Sequence, residues 1–354
     1  MQVLVDGLRM RVSARTSAQV MQTLDRGAVL RVSSGPADAD GYAWYELVDL
    51  DNVQGWVAAG RDAEPWLQAV PVQAPMKDVL LRFERGCEIT PRSYASTDLP
   101  ADVTVTADGR VVYWLGGGTL GENDGKIAVR QLSPSGLAQF QRDVLSLPAL
   151  QQSAEYRLQR LPGTPEPPGH GVCSNSFVIG AGSNAVVVNA TNWQGDEEEA
   201  SYWVASPERK TLDELAHRLT EVEAWLGESA WSDPVARPYV SDSYMLWLEP
   251  RIDIPSDGTG AVSVSGVPWP FDGPIEMYGE SVNGGRCGYL RAGQAFETLR
   301  FLRELGVIVH PLGLDQARPA GLDTLGFGDL ATDSEWYSFW IMPRSPDGYP
   351  DCPT

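Results

Sequence analysis

The 354-residue sequence has no run of about eighteen apolar residues, the shortest stretch that forms a transmembrane helix. We therefore expect no membrane-spanning segment. Positive charge is also scarce, because 27 Lys and Arg stand against 47 Asp and Glu, a formal net charge of −20. An acidic protein of this kind repels phosphate backbones and anionic lipids, so nucleic acid and membrane surfaces are disfavoured as partners.

Complete catalytic motifs are missing as well. The sequence has neither the G-x-S-x-G turn of serine hydrolases nor the H-E-x-x-H pattern of zinc peptidases. Gly116–Gly118 lacks the Lys and Ser/Thr of a phosphate loop. The acidic groups at Asp38–Asp40 and Asp196–Glu199 lack the ligand spacing of a calcium loop. We predict no catalytic residue, no metal site and no cofactor.

Cysteine is rare, and no two of the four cysteines are close enough for a CxxC redox or zinc motif. An even number of widely spaced cysteines, in a chain with 36 Gly and 26 Pro, is compatible with two disulfides in an oxidising compartment. Four cysteines allow three pairings, and the sequence does not choose between them.

Residues 8–57 contain a ladder of short apolar segments separated by turns. They read Leu8-x-Met10-Arg11, Val20-x-x-x-Leu24-x-x-Gly27, Trp44-Tyr45-x-Leu47 and Gly55-Trp56-Val57. Short strands with a turn every eight to twelve residues or so predict a small closed β-barrel. The pattern resembles the bacterial SH3-like domain, with its L-x-V-R opening, V-x-x-x-L-x-x-G centre and W-Y-x-V and G-W-V close. The resemblance implies a binding module of a secreted or cell-envelope protein.

The same resemblance implies a ligand groove. We expect Tyr42, Trp44 and the loop at Arg15 to line it, because aromatic rings with polar edges suit a glycan or a peptide. Trp56 is a further candidate, although in so small a barrel this ring is expected to fill the core. Val12–Arg15 replaces the S-G-P usual in the family, so the ligand specificity of the family does not carry over.

The chain after residue 69 reads as an α+β region. We predict a linker at 70–77, an α+β domain at 78–236 and a smaller α+β domain at 237–354. The second domain should contain a hairpin around Asp108-Gly109 and helices that begin at Ser133 and Thr211. The third should contain a helix that ends at Gly306, followed by a strand at Val307–Val309.

This long region resembles a set of uncharacterised exported bacterial proteins. The similarity lies in Val79–Glu84, Leu99–Tyr113 and Cys287–Cys352. It implies export and a disulfide between Cys287 and Cys352, and we predict a second one between Cys87 and Cys173. The first residues already read as a strand and not as a signal peptide, so we expect a mature or trimmed chain. A cytoplasmic protein is the alternative.

We therefore expect a non-catalytic protein, extracellular or in the cell envelope, that binds a wall glycan, a wall peptide or a partner protein through residues 1–69. One alternative is a structural or assembly subunit of a surface layer or complex. A second is a cryptic cell-wall hydrolase, because SH3-like modules are often joined to papain-like peptidases. Its nucleophile would be Cys173, but this residue precedes a β pattern and not the helix that such a nucleophile opens.

Overall fold

The structure is a computed structural model. It describes residues 1–61, 63–73, 78–87, 101–115, 126–164, 172–180, 184–193, 202–251, 262–263, 278–282, 285–307, 309–311, 321–323, 326–331, 336–348 and 350–352. The described chain is mostly β, with few helices, and its sheets are open. It forms two compact units. The first comprises Met1–Gln73, Pro238–Pro311 and Gln316–Ile341, and the second Ala74–Arg237, Leu312–Asp315 and Met342–Thr354.

Ten short strands make up the N-terminal region of the first unit. They are β1 Gln2–Val3, β2 Leu8–Arg11, β3 Val20–Leu24, β4 Arg31–Ala39, β5 Tyr42–Val48, β6 Gln54–Ala58, β7 Gly60–Arg61, β8 Glu64–Pro65, β9 Leu67–Gln68 and β10 Val72–Gln73. Five of them form one sheet in the order β3-β2-β6-β5-β4. Alternate residues such as Met10, Leu47 and Val57 fill the core on one face of this sheet.

The second unit is built on an eight-stranded sheet. Its strands are β11 Val79–Cys87, β12 Val103–Thr106, β13 Arg110–Trp114, β14 Ile127–Gln131, β15 Ala154–Arg157, β17 Val172–Ile179, β18 Val186–Trp193 and β20 Arg237–Pro238, in the order β15-β18-β17-β11-β12-β13-β14-β20. A separate pair joins β16 Gln159–Arg160 to β19 Trp203–Val204. The predicted hairpin is confirmed, with β12 and β13 joined at Gly109, which has a φ of +85°.

The helices of the second unit pack on one face of that sheet. They are α1 Pro134–Phe140, which continues into a π-helical turn at Gln141–Leu145, α2 Pro207–Thr220 and α3 Val222–Leu226, with short 3₁₀ turns at Pro148–Leu150 and Glu228–Ala230. The apolar stripe of α2 and α3 lies in the core with Phe83 and Phe177, as predicted.

The two predicted helix starts had different outcomes. The start of α1 is confirmed, because the Ser133 side chain accepts a hydrogen bond from the amide of Gly136 at 3.1 Å. The start predicted at Thr211 is wrong by one turn. Ser206 caps α2, because its side chain accepts a hydrogen bond from the amide of Arg209, and Pro207 occupies the first helical position. The helix therefore begins at this earlier cap and not at Thr211.

The C-terminal part carries a seven-stranded sheet and one long helix. The seven strands of this sheet are β22 Ser243–Arg251, β23 Val262–Ser263, β24 Glu280–Val282, β25 Gly285–Arg291, β26 His310–Pro311, β27 Gly326–Ala331 and β28 Trp336–Pro343. A further strand, β21 Val240–Ser241, lies outside it and pairs with β10. The sheet order is β23-β27-β28-β22-β25-β24, with β26 beside β27. Helix α4, Ala292–Glu304, packs on this sheet through Phe296, Leu299 and Leu302.

Two predictions concern the end of α4, and one of them is correct and the other wrong. Gly306, with a φ of +79°, follows the helix as predicted. The strand predicted at 307–309 is wrong, because Val307 and Val309 lie outside any strand and the strand is His310–Pro311. Both valines are buried, so their apolar character reflects core packing, and a short apolar run alone does not identify a strand.

The closed N-terminal barrel predicted from the sequence is not confirmed, since no sheet closes among the described residues. Instead, the end of the five-stranded sheet packs against α4. Val48 and Leu50 belong to the same core as Phe296 of that helix, and Arg31 of β4 pairs with Glu297 at 2.8 Å. A helix from the C-terminal part thus contributes to the core at this end of the sheet.

The described cysteine side chains are Cys287 and Cys352, and both are disulfide-bonded. The predicted pairing of these two stays a prediction. For the second predicted pair, the backbone register of β11 and β17 places Cys87 directly opposite Cys173. In the described part of the chain, no helix has the length and apolar character needed to cross a membrane.

Candidate functional site

Trp44, a predicted ligand contact, is part of the interior. Only 2% of this residue is exposed, and its indole Nε1 donates a hydrogen bond to the carbonyl of Ala39 at 2.9 Å. A buried ring whose polar atom is already satisfied supports its neighbours and offers no surface to a ligand.

Trp56, expected in the core, is partly exposed. It lies opposite Glu46 on β5 and opposite Arg11 on β2. Tyr42 is four residues from Glu46 along the same strand, a separation of about 13 Å at the usual rise of a β-strand. Among the residues that the structure describes, no ring contact joins Trp56 to Tyr42.

Tyr42 instead forms a cluster with a residue that the sequence analysis missed. Its ring stacks on that of Trp66, with centroids 5.4 Å apart and planes at 30°. It also meets Trp44 edge to face, with centroids 6.4 Å apart and planes at 77°. Both geometries are favourable for aromatic pairs. We call Tyr42, Trp44 and Trp66 the aromatic cluster, and Tyr42 and Trp66 are its partly exposed members.

Arg61 completes this surface and was also missed. Its guanidinium carbon lies 5.5 Å from the centroid of the Tyr42 ring, and its Nη2 donates to the Tyr42 hydroxyl at 3.3 Å. The side chain is exposed, and no ion pair involves it within the residues that the structure describes. A guanidinium held over an aromatic ring without a carboxylate partner is suited to bind an anionic group.

A single glycine sets the position of Arg61 and Trp66. Gly60 begins the β7–β8 hairpin with a φ of +95°, in the left-handed region. A Cβ atom at this position would lie 2.5 Å from the carbonyl oxygen of Glu64 and 2.6 Å from the amide nitrogen of Trp66. Only glycine fits without a backbone shift. Gly60, with Pro65 five residues later, is the sequence signal of a turn. This turn brings Trp66 back toward Tyr42.

The loop at Arg15 lies beside the same end of β5. The amide and the hydroxyl of Thr16 donate to Asp40 Oδ2 at 2.7 and 2.8 Å. These bonds, with the charge of Arg15, hold the pKa of Asp40 below its ordinary value of 3.8. Arg15 is exposed and Asp40 acts on it as a counter-charge, so its charge is less available to a ligand than that of Arg61.

The described residues contain no group of three or more His, Cys, Asp or Glu that could hold a metal ion. Cys173 lies on strand β17 and not at the start of a helix. His217 is exposed on α2. Gly116–Gly118, His170 and Asp196–Glu199 lie outside the described residues.

No protein-family model, no curated protein and no solved structure matches this chain.

Proposed function

We propose that this is an exported, non-catalytic binding protein that attaches to the peptide part of a bacterial cell wall through its N-terminal region. The contact surface is Tyr42, Trp66 and Arg61, with the loop at Arg15 at its border. The observation that carries the proposal is the exposed Arg61 guanidinium held over the Tyr42 ring.

The chemistry of this surface favours a peptide that bears a carboxylate. Arg61 supplies a charge-assisted hydrogen bond to an anion, and the rings of Tyr42 and Trp66 supply apolar contact beside it. Wall stem peptides combine carboxylates with short aliphatic side chains. A small surface of this kind buries little area, so we expect affinity in the micromolar range or weaker.

Two further observations support a location outside the cytoplasm. Residues 8–57 carry the motifs that resemble SH3-like modules of envelope proteins, and the structure forms a five-stranded sheet there. Cys287 and Cys352 are disulfide-bonded, which is compatible with an oxidising compartment.

Isolated cell walls, sedimented with the full-length protein, test the proposal. Point variants suit this experiment better than a deletion of residues 1–69, because Val48 and Leu50 share a core with α4. Retention should fall for Arg61→Gln and persist for Arg26→Gln, a matched change at another exposed arginine of the same region. Free stem peptide should compete. Equal retention of both variants would remove Arg61 from the binding role, and release of soluble wall fragments would indicate a hydrolase.

A structural subunit is the second candidate, and the open sheet favours it. Within the described part of the chain, strands β3 and β4 are the edges of the five-stranded sheet, and strand edges are sites where chains associate. Light scattering of the purified protein at increasing concentration separates the two. A mass that stays at one chain supports the binding module, and an assembly that grows with concentration supports the subunit.

A further inference from the structure

An open groove of about 480 Å³ lies on one face of the eight-stranded sheet of the second unit. Its lining comes mainly from β11, β17 and β18, and Asp347 is a further lining residue. The volume falls within the ~300–1,000 Å³ typical of small-ligand sites. The opposite face of the same strands carries core residues such as Phe83, Phe177 and Val188, so the groove has a rigid support.

The strand register arranges the lining in two rows. Glu84, Ser176 and Asn189 are cross-strand partners and form one row. The next row begins at Arg82 and continues through Val178 and Val187. Cross-strand partners point to the same face of a sheet, so both rows face the groove.

The charged residues of the groove are paired with each other. Arg82 Nη1 lies 2.8 Å from Asp347 Oδ2, and Arg82 Nε also binds Glu84 Oε1. These side chains are only 11–22% exposed. Each charge has an opposite charge in contact, and the three sum to −1, so the groove disfavours an anionic ligand and does not require a charged one. Carboxylate oxygens within ion pairs still accept further hydrogen bonds from hydroxyl groups.

Two uncharged polar side chains lie between these charges and the apolar row. No side-chain hydrogen bond is found for Ser176 or Asn189 within the part of the chain that the structure describes, and both are half-buried. A serine hydroxyl and an asparagine amide each donate and accept. Val178 and Val187 offer apolar contact beside them, and Val187 is 39% exposed.

We propose that this groove binds a neutral oligosaccharide. Such a ligand has many hydroxyl groups for Asn189, Ser176 and the Glu84 carboxylate, and C–H surfaces for the two valines. It carries no charge that would compete with the pairs at Arg82. This site is independent of the N-terminal surface proposed above, because no residue is shared between them.

Isothermal titration of the full-length protein with neutral tetrasaccharides tests the proposal, using cellotetraose, chitotetraose and maltotetraose as probes. At least one should bind at millimolar concentration or below. Asn189→Ala should weaken that binding by roughly tenfold, the effect of losing a hydrogen-bonding side chain. Ser176→Trp should abolish it by filling the groove. Asn184→Ala, a matched change at an exposed asparagine that does not line the groove, should leave it unchanged.

Melting curves confirm that each variant is folded, and Asn189→Ala alone decides the result if Ser176→Trp does not fold. The proposal is overturned if none of the three tetrasaccharides binds, or if binding is equal in the wild type and Asn189→Ala. Failure of Arg61→Gln to change wall retention would count against the N-terminal proposal and not against this one.

Discussion

The ring of Trp66 stacks on that of Tyr42 at a centroid distance of 5.4 Å, although 23 residues separate the two positions in the chain. The hairpin that begins at Gly60 makes this contact possible. Its backbone approaches Trp66 so closely that a side chain at residue 60 has no space.

Gly60→Ala should therefore destabilise the protein more than an alanine at another left-handed glycine. Gly27 is the matched control, since its φ is +88° and nothing lies within 4 Å of a Cβ atom there. The left-handed conformation costs about 1–2 kcal/mol at either position. Only Gly60→Ala adds the contact with Glu64. Chemical denaturation followed by circular dichroism measures both, and equal losses would mean that the hairpin adapts to the new side chain.

The two tryptophans at positions 44 and 56 should respond differently to truncation. Trp44→Ala empties a buried site and should cost about 3–5 kcal/mol of unfolding free energy. Trp56→Ala removes a partly exposed ring and should cost less than half of that. The comparison uses urea denaturation of both variants. A larger loss for Trp56→Ala would contradict the assignment of Trp44 as the interior ring.

The sequence did not predict which of these two tryptophans is buried, but it predicted several other features correctly. Local signals were sufficient for the Asp108-Gly109 hairpin, the cap at Ser133 and the glycine after α4, because each depends on neighbouring residues. Trp44 and Trp56 lie on the same face of the five-stranded sheet, because Trp56 is opposite Glu46 and Glu46 is two residues from Trp44 on β5. The alternation of residues along the strands therefore does not separate the two rings, and the sequence could not predict that Trp44 is buried and Trp56 partly exposed.

The sequence also predicted only part of the candidate site. Tyr42 and the loop at Arg15 do lie near one end of β5. Trp66 and Arg61 were missed because their approach to Tyr42 depends on the hairpin at Gly60, which falls after the last motif of the family pattern.

Asp40 should make the N-terminal region sensitive to acid. Its folded-state pKa is lowered, mainly by the hydrogen bond from the Thr16 amide. The stabilising contribution is therefore fully present above the unfolded-state pKa near 3.8, and it is lost as the pH falls through the lower folded-state value. Asp40→Asn cannot titrate, so its melting temperature should approach that of the wild type below pH 4 or so. A difference between them that stays constant with pH would contradict the lowered pKa.

We predict that all four cysteines are paired, as Cys287–Cys352 and Cys87–Cys173. Alkylation with iodoacetamide without reductant should add no mass to the intact protein, and peptide mapping should recover the two predicted linked pairs. Each long loop should contribute about 4–5 kcal/mol in the chain-entropy model. Alkylation at Cys173 alone would reveal a reactive thiol and favour the hydrolase alternative.

The affinity of the full-length protein for a soluble wall stem peptide tests the central claim most directly. Trp66 and Trp44 lie in the aromatic cluster, so tryptophan fluorescence can report binding. We expect saturable binding that Arg61→Gln weakens by roughly tenfold or more, the effect of losing one charge-assisted hydrogen bond, while Arg26→Gln binds like the wild type. Equal affinities of wild type, Arg61→Gln and Arg26→Gln, or no binding at all, would contradict the assignment of this surface as the ligand site.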